Sequence, residues 1–399
     1  MTAELAKRIA FTLGALLVYR LGTYVPVPGI DPQALAQILH EPRGGATLRR
    51  LSLLSLGLKP YFFAAILIQL LSLVSPRFNE IARRGDAGRR KIARYTFILA
   101  MALAVFQAGG IARALSGIPS LAGEGGLLFV ASVTVTMAGG VMFLIWLSEQ
   151  ITQRGIGNGL ALILCAGIVM DFAAETAATI ELHRSGELSD GSLFGLAILT
   201  ICFVTCIVFV ERGRRRLPLE FAGRQVGDRV LPAQRSQLVL KLNNAGYFPA
   251  IIAPWFFYIP LTVAGFAGGG QDGWAGTALK SMQAGQPGHM IYMIVAVAIL
   301  ALVYTAFVLD PEYAAASLQR NGATIPGIEP GEATASHLDR VISYTTFAGA
   351  AYLVAVLLIP EALIAYAKVP YYFAGGSVLI TVCTVLDIEA QVRGRSLTG

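Results

Sequence analysis

Ten long apolar runs divide this chain, at residues 9–25, 60–75, 95–115, 127–148, 158–178, 192–211, 242–264, 289–310, 341–359 and 370–390. A helix rising 1.5 Å per residue needs about 20 such residues to cross a bilayer, and most of the runs approach that length. Inside hydrocarbon every backbone amide must bond within the protein, so only helices or a closed barrel can span. The runs are too continuous for the in–out alternation of barrel strands, which leaves helices. Composition agrees. Of the 399 residues, 55% are hydrophobic and 14% charged, whereas about a quarter are charged in soluble domains. The pattern predicts an all-α membrane protein with ten transmembrane helices. No cleavable signal peptide is visible, because the first apolar run ends in Thr23-Tyr-Val-Pro-Val-Pro28 and not in a small-x-small site.

Charge sets the expected orientation. The net charge is +7, and it is concentrated. Residues 76–94 hold seven basic against two acidic side chains, and residues 211–241 hold eight against three. Residues 171–191 hold five acidic and one basic. The positive-inside rule then places both basic links, and with ten spans both termini, in the cytoplasm. The acid-rich link at 310–340, five against two, runs mildly against this, but acidic residues weigh little in the rule. Arg20, near the outer end of the first run, is expected to snorkel to the interface.

Reactive chemistry is hard to place. No paired carboxylates, nucleophile with a base, or cofactor loop is assembled in the sequence, so neither an enzyme nor a bound cofactor is expected. Cys165, Cys202, Cys206 and Cys383 all lie inside apolar runs, and the four histidines are scattered. Cys202 and Cys206 share a helix face and are read as packing residues, not as metal ligands. Asp171 and Glu175, one turn apart at the outer end of a run, are read as an interface cap. The spans otherwise lack the midplane charges of ion-coupled carriers, which counts against a small-solute secondary transporter.

Two stretches have unusual backbone requirements. In Trp146-Leu-Ser-Glu-Gln-Ile-Thr-Gln-Arg-Gly-Ile-Gly-Asn-Gly-Leu160 one apolar helix ends, three glycines reverse the chain, and Asn158 is placed to cap the next helix. With no strand before it and no Gly-Lys-Ser/Thr after it, the glycine string is a tight turn and not a phosphate cradle. The run between Pro60 and Pro76 reaches only about 24 Å, short of a full crossing. Broken helices of this kind line cavities, where irregular backbone is tolerated.

These stretches and several others resemble the SecY family, the channel subunit of the bacterial protein-secretion translocase. The resemblance is carried by Glu149-Gln-Ile-Thr-Gln-Arg-Gly-Ile-Gly-Asn-Gly159 and by Tyr19-Arg-Leu-Gly-Thr-Tyr-Val-Pro-Val-Pro-Gly-Ile-Asp31. Asp86-Ala-Gly-Arg-Arg-Lys-Ile92 with Tyr95-Thr96 matches a loop signature of the family. Ala233-Gln-Arg-Ser and Leu240-Lys-Leu-Asn-Asn-Ala-Gly-Tyr-Phe-Pro-Ala250 resemble the entry to its seventh helix. Lys368-Val-Pro-Tyr-Tyr-Phe-Ala-Gly-Gly-Ser-Val-Leu-Ile-Thr381 and Asp387 resemble the tenth.

The resemblance implies two pseudo-symmetric five-helix halves, residues 1–180 and 181–399, as inverted repeats. It implies a protein-conducting channel in the bacterial cytoplasmic (inner) membrane, with a shortened plug segment at 32–59 that carries Arg43, Arg49 and Arg50. Polypeptide would pass a ring of apolar side chains at or near Phe62, Ile66, Ile168, Phe248 and Ile380, with Ile252 a looser candidate. Such a ring seals by dewetting. Membrane segments would leave sideways into lipid between the second and seventh spans, where Gln69, Asn243 and Asn244 are candidate polar gate contacts. Arg212, Arg214, Arg215, Arg216, Arg224, Arg229 and Arg235 would dock the SecA ATPase or the ribosome, and cationic loops suit both an acidic motor and ribosomal phosphates. Small subunits like SecE and SecG, and polypeptides bearing signal sequences, complete the implied partners. The segment Ile325-Pro-Gly-Ile-Glu-Pro-Gly331 places Glu329 where the family has an arginine implicated in activation by the motor. A relative with restricted substrates is therefore an alternative to a general channel.

Overall fold

The computed structural model describes residues 3–30, 51–83, 85–117, 126–221, 224–226, 229–231, 234–254, 256, 281–282, 285–367 and 375–397. The readings made for residues 32–50, including Arg43, Arg49 and Arg50, lie outside them. The described helices are α1 (Ala3–Gly22), α2 (Lys59–Val74), α3 (Pro76–Arg83), α4 (Gly85–Ser116), α5 (Leu127–Arg154), α6 (Gly159–Arg184) and α7 (Asp190–Arg212). After them come α8 (Pro287–Val308), α9 (Pro311–Arg320), α10 (Glu332–Ala367) and α11 (Gly375–Leu397). A further helical stretch covers residues 248–254.

Among the described residues, seven helices are long and apolar enough to cross a membrane: α4, α5, α6, α7, α8, α10 and α11. The other three predicted spans correspond to α1, to the 16-residue α2 and to the helix that begins at Phe248. Several helices overrun the apolar runs that announced them. α4 starts ten residues before residue 95, and α10 starts nine before residue 341. Residues 76–94, read as a basic link, are thus helical almost throughout, as α3 and the first turns of α4.

The chain divides into two compact units, Met1–Gly167 with Thr384–Gly399, and Ile168–Cys383. In the first unit α4 packs on α2 and α5. Its contact face is a stripe of Ala100, Ala104, Ala108 and Ala112, one every fourth residue and each 0% exposed. Small side chains at that spacing let helices approach closely in a medium that offers little hydrophobic driving force. α5 answers with Val133, Met137, Val141, Leu144 and Ile151, all buried. Residues 51–58 form turns that bury Leu54, Leu56 and Leu58 in the same core.

In the second unit α8 packs on α10, and α9 lies against α10. The basic link at 211–241 is a β-hairpin. β1 (Arg214–Phe221) pairs antiparallel with β4 (Gln234–Lys241) from Arg214 opposite Lys241 to Phe221 opposite Gln234. At its tip β2 (Arg224–Val226) pairs with β3 (Arg229–Leu231), and β5 (Ala323–Thr324) joins the other edge of β1. Leu217, Leu219 and Leu240 from the hairpin meet Ala315, Ile325, Leu338, Val341 and Ile342 in a separate small core. Cys202 and Cys206 are exposed, so they do not pack within this chain as their spacing suggested.

Candidate pore, gate and docking residues

α5 ends at Arg154, and α6 begins at Gly159. The Asn158 side-chain oxygen accepts from the amides of Leu160 at 3.0 Å and Ala161 at 3.4 Å, which is the predicted cap. Other amides are committed as well. Gly155 donates to Ile151 O, Ile156 to Thr12 Oγ1 at 3.0 Å, Gly157 to Gln391 Oε1 at 3.0 Å and Gly159 to Thr152 Oγ1 at 2.8 Å. Amides already bonded inside the protein have none to offer a phosphate, so the turn fastens α1, α5, α6 and α11 to one another.

Two glycines are required there. Gly157 has a φ of +81°, in the region other residues avoid. A Cβ on Gly159 would lie 1.9 Å from the Ser148 carbonyl oxygen, so only glycine admits this crossing of α6 over α5.

α2 carries Phe62, Ile66 and Gln69. Pro60 stands in its first turn, and the helix stops at Val74 with Ser75 extended, ahead of Pro76. Phe62 is half-buried with its ring edge-on to Tyr61, Ile66 is buried and Gln69 exposed. On α6, Leu160, Leu164 and Ile168 are all half-buried at four-residue spacing, so Ile168 belongs to a longer apolar stripe. Ile380 is half-buried on α11.

The seventh span opens with a turn over residues 242–247, and helix follows from Phe248. Phe248 stacks on Tyr304 of α8 at 4.7 Å between centroids. Ile252 is 3% exposed. Ile251 is half-buried and, three residues from Phe248, shares its side of the helix. Ile252, at i, i+4 from Phe248, is thus buried, whereas Ile251, at i, i+3, is half-buried as Phe248 is.

Asn243 and Asn244 both bond within the second unit. Asn243 Nδ2 donates to Glu211 Oε1 at 2.8 Å and to Gly246 O at 3.1 Å, while Asn244 Nδ2 donates to Thr345 Oγ1 at 2.8 Å. Sequence reasoning missed two polar pairs, the buried Glu211–Asn243 and the half-buried His289–Glu361. In the latter, His289 Nδ1 lies 2.7 Å from Glu361 Oε1, which also accepts the Gly285 amide. Partners 32 and 72 residues apart leave no local signature.

On the hairpin, Arg212, Arg214, Arg215 and Arg216 are exposed. Arg224 and Arg229 occupy the paired tip strands, at the ends of the register Arg224–Leu231 and Val226–Arg229. Arg235 pairs with Glu220 across the strands at 3.4 Å. Glu329 is exposed, and its carbonyl accepts from Thr334 Oγ1 at 2.7 Å, closing the loop ahead of α10.

The sequence profile of the SecY family matches residues 52–389. The protein translocase subunit SecY of Escherichia coli K12 is 42% identical over 404 residues, covering 98% of this chain and 91% of that protein. The chain belongs to the SecY family. SecY of Vibrio cholerae is 40% identical with the same coverage. Solved structures agree in fold. A SecY structure described for a plug domain that stabilises the closed channel has a TM-score of 0.70 at 20% identity, covering 99% of this chain and 93% of that one. Sec61 in a canine ribosome–channel complex has a TM-score of 0.61 at 17% identity with the same coverage. The fold is the ten-helix SecY fold.

Proposed function

We infer that this chain is the channel subunit of a bacterial inner-membrane protein translocase, conducting unfolded polypeptide across the membrane and releasing membrane segments into it. The observation that carries the reading is 42% identity to a SecY translocase subunit across 98% of the chain. Family membership decides against the small-solute transporter.

The pore ring is proposed to draw on Phe62 and Ile66 of α2, Ile168 in the Leu160–Leu164–Ile168 stripe of α6, Ile380 of α11, and Phe248 with Ile251 of the seventh span. Ile252, buried beside Ile251, is a looser candidate for the ring. Apolar side chains seal such a constriction by excluding water and part for an extended chain. Gln69 remains the proposed polar contact of a lateral gate, with Asn244 beside it in the proposal. Both termini and the β1–β4 hairpin are proposed to lie in the cytoplasm, where Arg212, Arg214, Arg215, Arg216, Arg224, Arg229 and Arg235 would meet SecA or the ribosome. SecE- and SecG-like subunits would complete the assembly, and residues 1–180 and 181–399 would act as its two halves. Exposed Glu329 favours a second reading, a channel whose motor coupling or clientele is narrower.

Site-specific photocrosslinking tests the proposal. A photoreactive residue at Ile66, in membranes holding the assembled complex, is expected to capture a stalled secretory precursor only when its signal sequence and ATP are present. Absence of capture at Ile66, Ile251 and Ile380 alike would remove the channel reading.

A further inference from the structure

Glu211 sits in the last turn of α7 and is 8% exposed. Nothing about that helix favours a carboxylate there. The negative end of the helix dipole repels it, and burial strips its water. Among the described residues it has no ion pair. Its reason must lie in what it holds, and what it holds is Asn243, 1% exposed, whose Nδ2 donates to Glu211 Oε1.

We propose that Glu211 is a positioning residue for the seventh span, pinning its entry turn through Asn243 and so setting how Phe248 and Ile251 are presented. The inference rests on the channel reading above. Three features support it. Both hydrogens of the Asn243 amide are used, one on Glu211 and one on Gly246 O, so the side chain cannot flip without setting its oxygen against two acceptors. The turn is held on either side by Leu242 N to Gly213 O at 3.0 Å and by Asn244 to Thr345 at 2.8 Å. Gly349 of α10 leaves room for Asn243: a Cβ there would come within 3.3 Å of the Asn243 Cα. Moving the turn away would leave a buried charge without its donor, a far more costly state than a broken surface contact. The clamp therefore biases the seventh span towards one position.

The test is ion leak through the precursor-free channel, reconstituted with its partner subunits and normalised to assembled complex. Glu211→Ala and Asn243→Ala are each expected to raise leak about tenfold or more, the population shift expected when a hydrogen bond to a buried charge is lost. The double variant should leak no more than either single one. Glu211→Gln should stay close to wild type, because its amide oxygen still accepts from Asn243 Nδ2 and its amide hydrogens suit the Asn243 Oδ1, which is buried with no partner. A merely structural role would lower the amount of assembled channel and leave leak per channel unchanged. Unchanged leak in both alanine variants, or a leaking Glu211→Gln, overturns the proposal. If the alanine variants do not assemble, Gly349→Ala decides, since it keeps both partners, favours helix and crowds Asn243. Leak at the wild-type level there also overturns the proposal. Precursor translocation by the wild-type chain in the same vesicles tests the channel reading separately: its failure removes that reading, whereas success with no leaking variant removes only the clamp.

Discussion

Glu220 and Thr324 face each other across β1 and β5, 104 residues apart, and Thr324 Oγ1 donates to Glu220 O at 3.2 Å. This contact joins the basic hairpin to the loop that carries Glu329, and a shared apolar core lies beneath both. The two loops should behave as one body. Leu338→Ala, at a site 1% exposed within that core, is expected to cost about 2–4 kcal/mol. Hydrogen exchange should then rise together in residues 214–221, 234–241 and 323–324. Faster exchange in one loop alone would contradict a common core.

Charge on the hairpin should matter for docking and hardly at all for folding. Arg235 is exposed and Glu220 about half exposed, so Glu220→Gln should change stability by less than about 0.5 kcal/mol. Arg214 and Arg216, exposed and two apart on one strand, project to the same side. Their joint replacement by glutamine should weaken ribosome binding and lower the slope of log K against log salt by about two in magnitude. Binding titrations at several salt concentrations measure both.

Ile251 and Ile252 offer a contrast between neighbours. Ile252→Ala should destabilise the protein by about 2–4 kcal/mol and leave sealing intact in the folded fraction. Ile251→Asn should leave thermal stability nearly unchanged and raise ion leak. Leak that followed Ile252 and spared Ile251 would reverse the assignment of the ring.

In the glycine turn, Gly157→Ala should cost about 1–2 kcal/mol for its left-handed backbone. Gly159→Ala should yield no monodisperse protein, because its Cβ would meet backbone, which no rotamer can clear. Gln391→Leu should lie between wild type and Gly159→Ala, at about 1–3 kcal/mol for an amide left unbonded. Yield and melting temperature in detergent rank the three.

Much of this was legible in residue patterns, and the parts that were not share a cause. The Asn158 cap, the stop at Pro76 and the apolar runs depend on neighbours a few residues away. The strands of the hairpin were hidden by their charges, although Leu217, Pro218 and Leu219 already show the buried–exposed–buried alternation of a strand. Their pairing, like Glu211 with Asn243, depends on residues far along the chain. Apolar counting also ends a helix where apolar residues end, while backbone hydrogen bonds carry α4 and α10 on through polar ones. The i, i+4 spacing from Phe248 points to Ile252 without showing that it is buried while Ile251 beside it is half-buried, because exposure depends on packing and not on spacing.

The first unit is built from both ends of the chain, Met1–Gly167 and Thr384–Gly399. A ribosome adding about 5–20 residues per second needs roughly 10–50 s to travel from Gly157 to Gln391. Throughout that interval the turn between α5 and α6 waits, one amide unanswered, while the whole second unit is made. The part synthesised first is completed last, so a premature stop near residue 384 would injure the beginning of the protein as surely as its end. The same interval is when membrane proteases should find the nascent chain most open to attack.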